Sequence, residues 1–437
     1  MVEKVLFEKA ATYTDAALTF VDDDGYPYSV PVECETDPTK RVLKITKPKS
    51  LASVGGKEVG IIFNHITPLP VGGYTDRRYL VFWGKLEDRG EKFTLEPTKG
   101  FTWDEKEVPF FQYSEMKVSR GKKYLDELSE KPWLSTRWLV IRTFRLPFVI
   151  ATILPVILGT VIAYRSGFFN LLLFGLTLVA ALLIHLGVNT ANDYFDSRAG
   201  TDDINTTPTP FSGGSRIIQY GLLPPSAVLS LSTASYASGI LIGLYLTITR
   251  GLPVLLIGLV GLLISYGYTA PPLKWAYRGL GEAAVGIGFG PLLVLGAYFV
   301  QTQSFSLEAL LGSIPVGMLV MLILYVNEVP DRTWDDEAGK KTLVALMRED
   351  SVVTGFLISV GVVYAIILIG AITKIFPLSA ILALLTVPVA LKVGRTIKGN
   401  LGNPYGLIPA MSLMVKLFVY TTLLLIAGYL VSFLIHF

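Results

Sequence analysis

From about residue 147 onward the chain is a series of long uncharged apolar runs, and these restrict it to a helical membrane fold. One bilayer crossing takes about 20 apolar residues. Nine runs qualify, beginning near Pro147, Phe169, Ser226, Leu252, Gly281, Leu307, Val352, Pro377 and Met411. At 51% hydrophobic over 437 residues, the chain is more apolar than soluble domains usually are. An odd number of crossings puts the ends of the membrane region on opposite faces. Basic loop residues set the orientation. The loops after even-numbered runs carry 11: Arg198, Arg216, Lys274, Arg278, Arg332, Lys340, Lys341, Arg348, Lys392, Arg395 and Lys398. The opposite loops carry 3: Arg165, Arg250 and Lys374. The first set is therefore expected on the cytoplasmic side of a multi-pass cell-membrane protein.

Residues 1 to about 135 have a different composition, rich in Lys, Glu and Asp. The opening Met1-Val-Glu-Lys-Val-Leu-Phe-Glu-Lys9 lacks an apolar leader, so this region is expected in the cytoplasm. Strands are expected at Ala16–Val21, Tyr26–Cys34, Val42–Thr46, Val59–Phe63 and Arg78–Gly84, with a turn at Asp22–Gly25 and a closing helix at Lys122–Lys131. Short strands with turn signals predict a small β-barrel. The expected division is 1–130 soluble barrel, 131–146 linker or interfacial helix, and 147–437 transmembrane domain. A net charge of +3 is too small to point to nucleic acid. The single Cys34 excludes an internal disulfide and a cysteine zinc site. His65, His185 and His436 are too far apart in sequence to suggest a histidine metal cluster.

Two polar clusters interrupt the apolar pattern. Asn189-Thr-Ala-Asn192-Asp193-Tyr-Phe-Asp196 ends the second run, and Asn327-Glu-Val-Pro-Asp331-Arg-Thr-Trp-Asp335-Asp336 ends the sixth. A carboxylate at membrane depth costs about 2.5–3.5 kcal/mol, so something must offset several of them. Divalent cations do this, since Mg²⁺ takes carboxylate together with phosphate oxygens. Helix positions i and i+4 share a face. This pairs Asn192 with Asp196 and Asn189 with Asp193, and makes Asn327, Asp331 and Asp335 a ladder. Two facing ladders with two Mg²⁺ ions suit a diphosphate leaving group whose lipid tail lies in the bilayer. Lys274, Arg278, Lys340 and Lys341 stand near enough in sequence to contact its oxygens. His185 shares the Asn189, Asn192 and Asp196 face and is expected to pack through a hydrogen bond. Tyr266, Tyr268 and Tyr325 offer ring faces to a cation. Gly239 and Gly243 form a helix-packing G-x-x-x-G, and Lys416 is read as snorkelling to the interface. Gly279-Leu-Gly281-Glu-Ala-Ala284 follows a span rather than a strand, so it is no dinucleotide fingerprint.

The two motifs resemble those of the UbiA superfamily of intramembrane prenyltransferases, over roughly residues 135–437. Asn192-Asp193-Tyr-Phe-Asp196 with Gly200-Thr-Asp202 resembles the first aspartate motif. Asn327-x-x-x-Asp331-x-x-x-Asp335 with Gly339-Lys-Lys-Thr342-Leu resembles the second. Where the family often carries a third acid this chain has Gly200, and acids follow at Asp202 and Asp203. Pro210-Phe-Ser-Gly213-Gly214-Ser215 and Tyr268-Thr-Ala-Pro271-Pro-Leu-Lys-Trp-Ala-Tyr-Arg278-Gly-Leu-Gly-Glu282 are similar to the branch acting on 1,4-dihydroxy-2-naphthoate. The resemblance implies Mg²⁺-dependent transfer of a polyprenyl group from its diphosphate to an aromatic ring carbon, with loss of CO₂ for a naphthoate. It implies Asp193, Asp196, Asp331 and Asp335 as catalytic groups, joined by Asn192 and Asn327 on the metal. Lys274, Arg278 and Lys341 are assigned to diphosphate, and Tyr268, Arg145 and Ser212 to substrate. Arg137 and Arg142 stand with Arg145 as candidates for an acceptor carboxylate.

The N-terminal region resembles the pyridoxamine-phosphate-oxidase-like split barrel through Thr19-Phe-Val-Asp-Asp-Asp-Gly25-Tyr-Pro27-Tyr-Ser-Val-Pro31-Val and Tyr79-Leu-Val-Phe-Trp-Gly84. That resemblance implies FMN or a related flavin, with Lys47, Lys49 and Ser50 receiving its phosphate. Two other readings stay open: a prenyltransferase for another phenol or a glycerol lipid, and a cation-coupled transporter. Both ladders follow even-numbered runs and open to one face, which favours a one-sided active site over alternating access.

Overall fold

The computed structural model describes residues 2–21, 27–47, 55–68, 74–108, 113, 139–200, 209 and 211–435. The expected turn at Asp22–Gly25, the closing helix at Lys122–Lys131, and residues 131–138 of the expected linker lie outside them. The chain divides into two compact units, residues 1–114 and 115–437.

The first unit is an antiparallel sheet with a helix at Lys4–Ala10. Its strands are β1 (Ala16–Val21), β2 (Pro27–Val32), β3 (Cys34–Asp37), β4 (Val42–Thr46), β5 (Glu58–Pro68), β6 (Tyr74–Asp88) and β7 (Lys92–Asp104). Their order is β2-β1-β5-β6-β7-β4-β3. The two edges, β2 and β3, are joined by Glu33 alone. Two peptide units span about 7 Å at most, so the sheet must curl until its edges nearly meet. This is the half-barrel that the alternating strands predict. Leu18, Ile45, Ile61, Leu80 and Phe82 face inward and are fully buried. Phe7 of the helix stacks on Phe82 at 4.9 Å. The expected single strand Tyr26–Cys34 is two strands, because the chain changes sheet edge at Glu33. Strand β7 is hidden in the sequence by Pro97, which has no ladder donor. The ladder absorbs it at a register shift, where Gly84 pairs with Pro97 and Trp83 with Lys99.

The second unit is helical. Among the described residues eight helices are long and apolar enough to cross a membrane: 146–165, 171–199, 225–250, 281–302, 307–328, 349–372, 378–399 and 408–432. The fourth expected run is a shorter apolar helix, Leu252–Gly267, of 16 residues. Helices are the form that satisfies every backbone group within one segment in lipid. The helix Leu171–Ala199 ends where Gly200 takes φ +75°, closing the helix in a left-handed conformation. The residue standing at the family's third acidic position is therefore a helix terminator.

Helix Leu307–Glu328 is the buried centre, with Leu319, Leu322 and Val326 fully enclosed. Lipid tails are as apolar as the side chains, so close packing of small residues holds such helices together. A Cβ on Gly317 would fall 2.3 Å from the Gly286 carbonyl oxygen and 2.9 Å from the Gly290 Cα. The Gly239/Gly243 pair behaves differently from its expected role. Gly239 packs on Ile184 and the Ala180 carbonyl, whereas a Cβ at Gly243 would meet nothing within 4 Å. Helices Leu171–Ala199 and Pro225–Arg250 bury few residues, and the second turns Leu241 and Ile248 outward, 68% and 83% exposed.

Gly317→Val is expected to force the central helix from the 281–302 helix and cost about 1–3 kcal/mol. A clear fall in the thermal unfolding midpoint of detergent-purified protein checks this, and an unchanged midpoint contradicts the packing.

Candidate active site

A cavity of about 540 Å³ lies within the helical unit. One end is polar, lined by Arg145, Asn192, Asp196, Ser212, Asn327, Asp331, Asp335 and Lys340. The rest is apolar and reaches Thr177, Thr247, Val254 and Val300. Thr177 and Asp196 lie 19 residues apart on one helix, so the cavity runs about 28 Å at 1.5 Å per residue. That is close to the bilayer hydrocarbon thickness.

At the polar end the N-terminal side of the first span meets the C-terminal ends of three other helices. Arg145 precedes the first span, Asp193 and Asp196 close the second, and Tyr268 follows Leu252–Gly267. Asn327 closes the helix Leu307–Glu328. His185, Asn189, Asn192 and Asp196 fall on one face of the second span and all line the cavity. The His185 ring lies 2.6 Å from the Thr152 hydroxyl through Nδ1 and edge-on to Phe289, a packed, hydrogen-bonded position.

Each of the four aspartates has protein donors. Asp196 accepts from Asn192 Nδ2 at 2.8 Å and from the Tyr277 hydroxyl at 2.7 Å. Asp193 points elsewhere: Arg145 donates to it, as does the Ser215 N–H at 3.2 Å, and it lies outside the cavity lining. Asp331 accepts from Ser212 Oγ at 3.0 Å and from the Gly213 N–H at 3.1 Å. Asp335 faces Lys340 Nζ at 3.6 Å. The short segment Ser212–Ser215 thus bonds to an aspartate of each motif.

The expected ladder Asn327, Asp331, Asp335 is not one helix. Leu307–Glu328 ends and Arg332–Glu337 begins after a turn, with Asp331 at its N-cap. Pro330 in that turn has no N–H to continue the helix. All three side chains still line the cavity, because the turn re-aims the second helix.

The basic residues sort differently from their sequence assignment. Lys340 lines the cavity, while Lys274, Arg278 and Lys341 do not. Lys274 lies 5.2 Å from the Tyr277 ring centre, Arg278 donates to the Pro272 carbonyl, and Lys341 is exposed. Arg142 donates to the Ser215 carbonyl and stacks over Tyr220. Of the three tyrosines, Tyr268 lines the cavity. Tyr325 is buried in the core, donating to the Val352 carbonyl, and Tyr266 packs on Phe195. Arg137, Asp202 and Asp203 lie outside the described residues.

Burial pushes the Asp335 carboxyl up to about 7; Lys340 pulls it back, and Asp331 and Asp196 add to the rise. Burial opposes the charge on Lys340, but the carboxylates of Asp335 and Asp196 outweigh it and hold its ammonium well above the usual range. Three acceptors here are buried with no hydrogen-bond donor: Asn327 Oδ1, Glu328 Oε2 and Asp335 Oδ2. Unsatisfied buried acceptors are costly, and an all-oxygen donor set suits a hard divalent cation. Among the described residues no three of His, Cys, Asp and Glu converge on one point.

In the first unit Lys47 is committed to Asp88 at 2.5 Å and lies over the Phe93 ring. Its ammonium is paired with a carboxylate here, whereas the expectation gave it to a phosphate. Lys49 and Ser50 lie outside the described residues, so nothing described supports the flavin expectation.

Residues 152–404 match the UbiA prenyltransferase family. The chain is 34% identical over 285 residues to 1,4-dihydroxy-2-naphthoate octaprenyltransferase of Bacillus subtilis, covering 65% of this chain and 89% of that protein. It is 28% identical over 298 residues to 2-carboxy-1,4-naphthoquinone phytyltransferase of Synechocystis sp., covering 68% and 94%. Among solved structures, a UbiA homolog from Archaeoglobus fulgidus bound to GPP and Mg²⁺ aligns at 16% identity and a TM-score of 0.44, covering 66% and 99%.

An Asp335 carboxyl neutral below about pH 7 and anionic above it makes protons compete with a divalent cation. Mg²⁺ affinity is expected to rise as pH increases through about 7, and Asp335→Asn to flatten that rise. Mg²⁺ titrations at several pH values check both; a pH-independent affinity in the unaltered protein contradicts the assignment.

Proposed function

Because this chain belongs to the UbiA prenyltransferase family, we propose that it joins a polyprenyl group to 1,4-dihydroxy-2-naphthoate with Mg²⁺ as cofactor. It is a multi-pass membrane transferase, and the transporter reading falls with the family match. The observation that carries the proposal is the meeting of both acidic motifs and Lys340 at one end of a long apolar cavity. That arrangement suits a substrate with an anionic head and a lipid tail. The names of the relatives support a naphthalene carboxylate as the acceptor.

Asn192, Asp196, Asn327, Asp331 and Asp335 would hold the metal. Mg²⁺, when bound, supplies the positive charge that neutralises the departing diphosphate. Lys340, held protonated by its acidic neighbours, adds a fixed charge and takes the place expected of Lys341. Ser212 and Gly213 hold Asp331 by two hydrogen bonds, and Tyr277 and Asn192 hold Asp196. Asp193 acts through Arg145, whose guanidinium lines the cavity and suits a carboxylate. In the reaction the allylic C–O bond breaks, a C–C bond forms at the ring carbon bearing the carboxylate, and CO₂ leaves. The apolar walls keep water from the allylic cation. The positive-inside distribution supports a cytoplasmic polar end, with residues 1–130 on the same side, 131–146 as the connection and 147–437 as the catalytic domain.

Purified protein given geranylgeranyl diphosphate and Mg²⁺, with 1,4-dihydroxy-2-naphthoate or 4-hydroxybenzoate in parallel, is expected to yield the decarboxylated naphthoate product. Prenylation of the benzoate alone overturns the acceptor. Asp331→Ala is expected to lower transfer on the order of a hundredfold or more in a variant that still folds; an active variant removes Asp331 from the machinery.

A further inference from the structure

We propose that one face of the helix Leu252–Gly267 measures the length of the prenyl tail, through Gly258 and Gly261. The inference rests on the prenyl-transfer reading and deepens it. Both glycines line the apolar stretch of the cavity, and a Cβ at either would meet nothing within 4 Å. Gly243, lining the same cavity from the helix Pro225–Arg250, is open in the same way. These glycines therefore leave a passage instead of holding helices together, unlike Gly239 and Gly317. That the passage takes a ligand is argued at its polar end, where Glu328 is 5% exposed, lines the cavity and leaves Oε2 without a donor.

The geometry sets a scale. Tyr268 lines the polar end immediately after this helix. Gly261 and Gly258 lie about 10 Å and about 15 Å along the axis from it, at 1.5 Å per residue. An extended chain advances about 1.2 Å per backbone bond, so a prenyl tail with four backbone bonds per unit advances about 5 Å per unit. Positions i and i+3 share a face. Gly261 then stands beside the end of the second isoprene unit and Gly258 beside the end of the third. A bulky side chain at each closes the passage at a different length. With both glycines in place the passage continues to Val254 and Val300, which assigns tails of four or more units to this chain.

The test compares geranyl, farnesyl and geranylgeranyl diphosphates as donors for the full chain in detergent with Mg²⁺. Gly261→Phe is expected to lose farnesyl and geranylgeranyl transfer at least tenfold relative to geranyl transfer. Gly258→Phe is expected to lose geranylgeranyl transfer at least tenfold relative to farnesyl transfer. Geranyl transfer by each variant reports that it is folded, and Gly258→Leu and Gly261→Leu serve if a phenylalanine variant does not accumulate. Donor ratios that match the unaltered protein, or that change identically at both positions, overturn the proposal while leaving prenyl transfer standing. An unaltered protein that uses none of the three donors overturns the transfer reading, and the length gauge with it.

Discussion

Carboxylates at the ends of membrane-spanning helices are the constraint around which the helical unit is arranged. Ionised groups there are costly unless they are paired. Asp193 has Arg145 and the Ser215 N–H, Asp196 has Asn192 and Tyr277, Asp331 has Ser212 and Gly213, and Asp335 has Lys340. These partners come from five separate stretches of chain. Satisfying the acids therefore draws those helix ends and loops to one place. The segment Ser212–Ser215 is the clearest case, since it binds an acid of each motif.

The pairing is incomplete where chemistry is expected. Asn327 Oδ1, Glu328 Oε2 and Asp335 Oδ2 have no donor. A folded protein rarely leaves three buried acceptors together without reason, and a cation bound with a phosphate group is one that the cavity has room for. Asp335 and Lys340 also show how charges tune each other at such a site. Burial raises the acid, and the same acid holds the neighbouring ammonium protonated. The helices around the apolar end do opposite work. The central helix Leu307–Glu328 is packed through glycine contacts, while Leu171–Ala199 and Pro225–Arg250 bury few residues and help to line the cavity.

Much of this was legible before any coordinates. Strands Ala16–Val21 and Val42–Thr46 fall where alternation and turn residues put them, and the apolar runs become helices near the expected positions. The break between β2 and β3 was hidden, since Glu33 looks like any strand residue until the sheet order makes it a crossing between edges. The second motif was read as one helical ladder because Asn327, Asp331 and Asp335 keep i, i+4 spacing. Pro330 was the signal that the helix stops. Lys340 lines the cavity and its neighbour Lys341 does not, because in a turn the side-chain vector depends on dihedral angles that periodicity does not give.

The residue pattern dictates the kinds of element and the chemistry available. Long apolar runs dictate helices in lipid because a helix satisfies every backbone polar group within its own segment. Acids and amides grouped at the ends of those runs dictate a site for positive charge. Which of those groups share a cavity depends on long-range packing. Asp193 turns to Arg145, Lys340 turns inward, and Gly243 opens a passage where Gly239 packs. Each of these depends on a neighbour far away in the chain, and the local pattern of residues does not encode where that neighbour will stand.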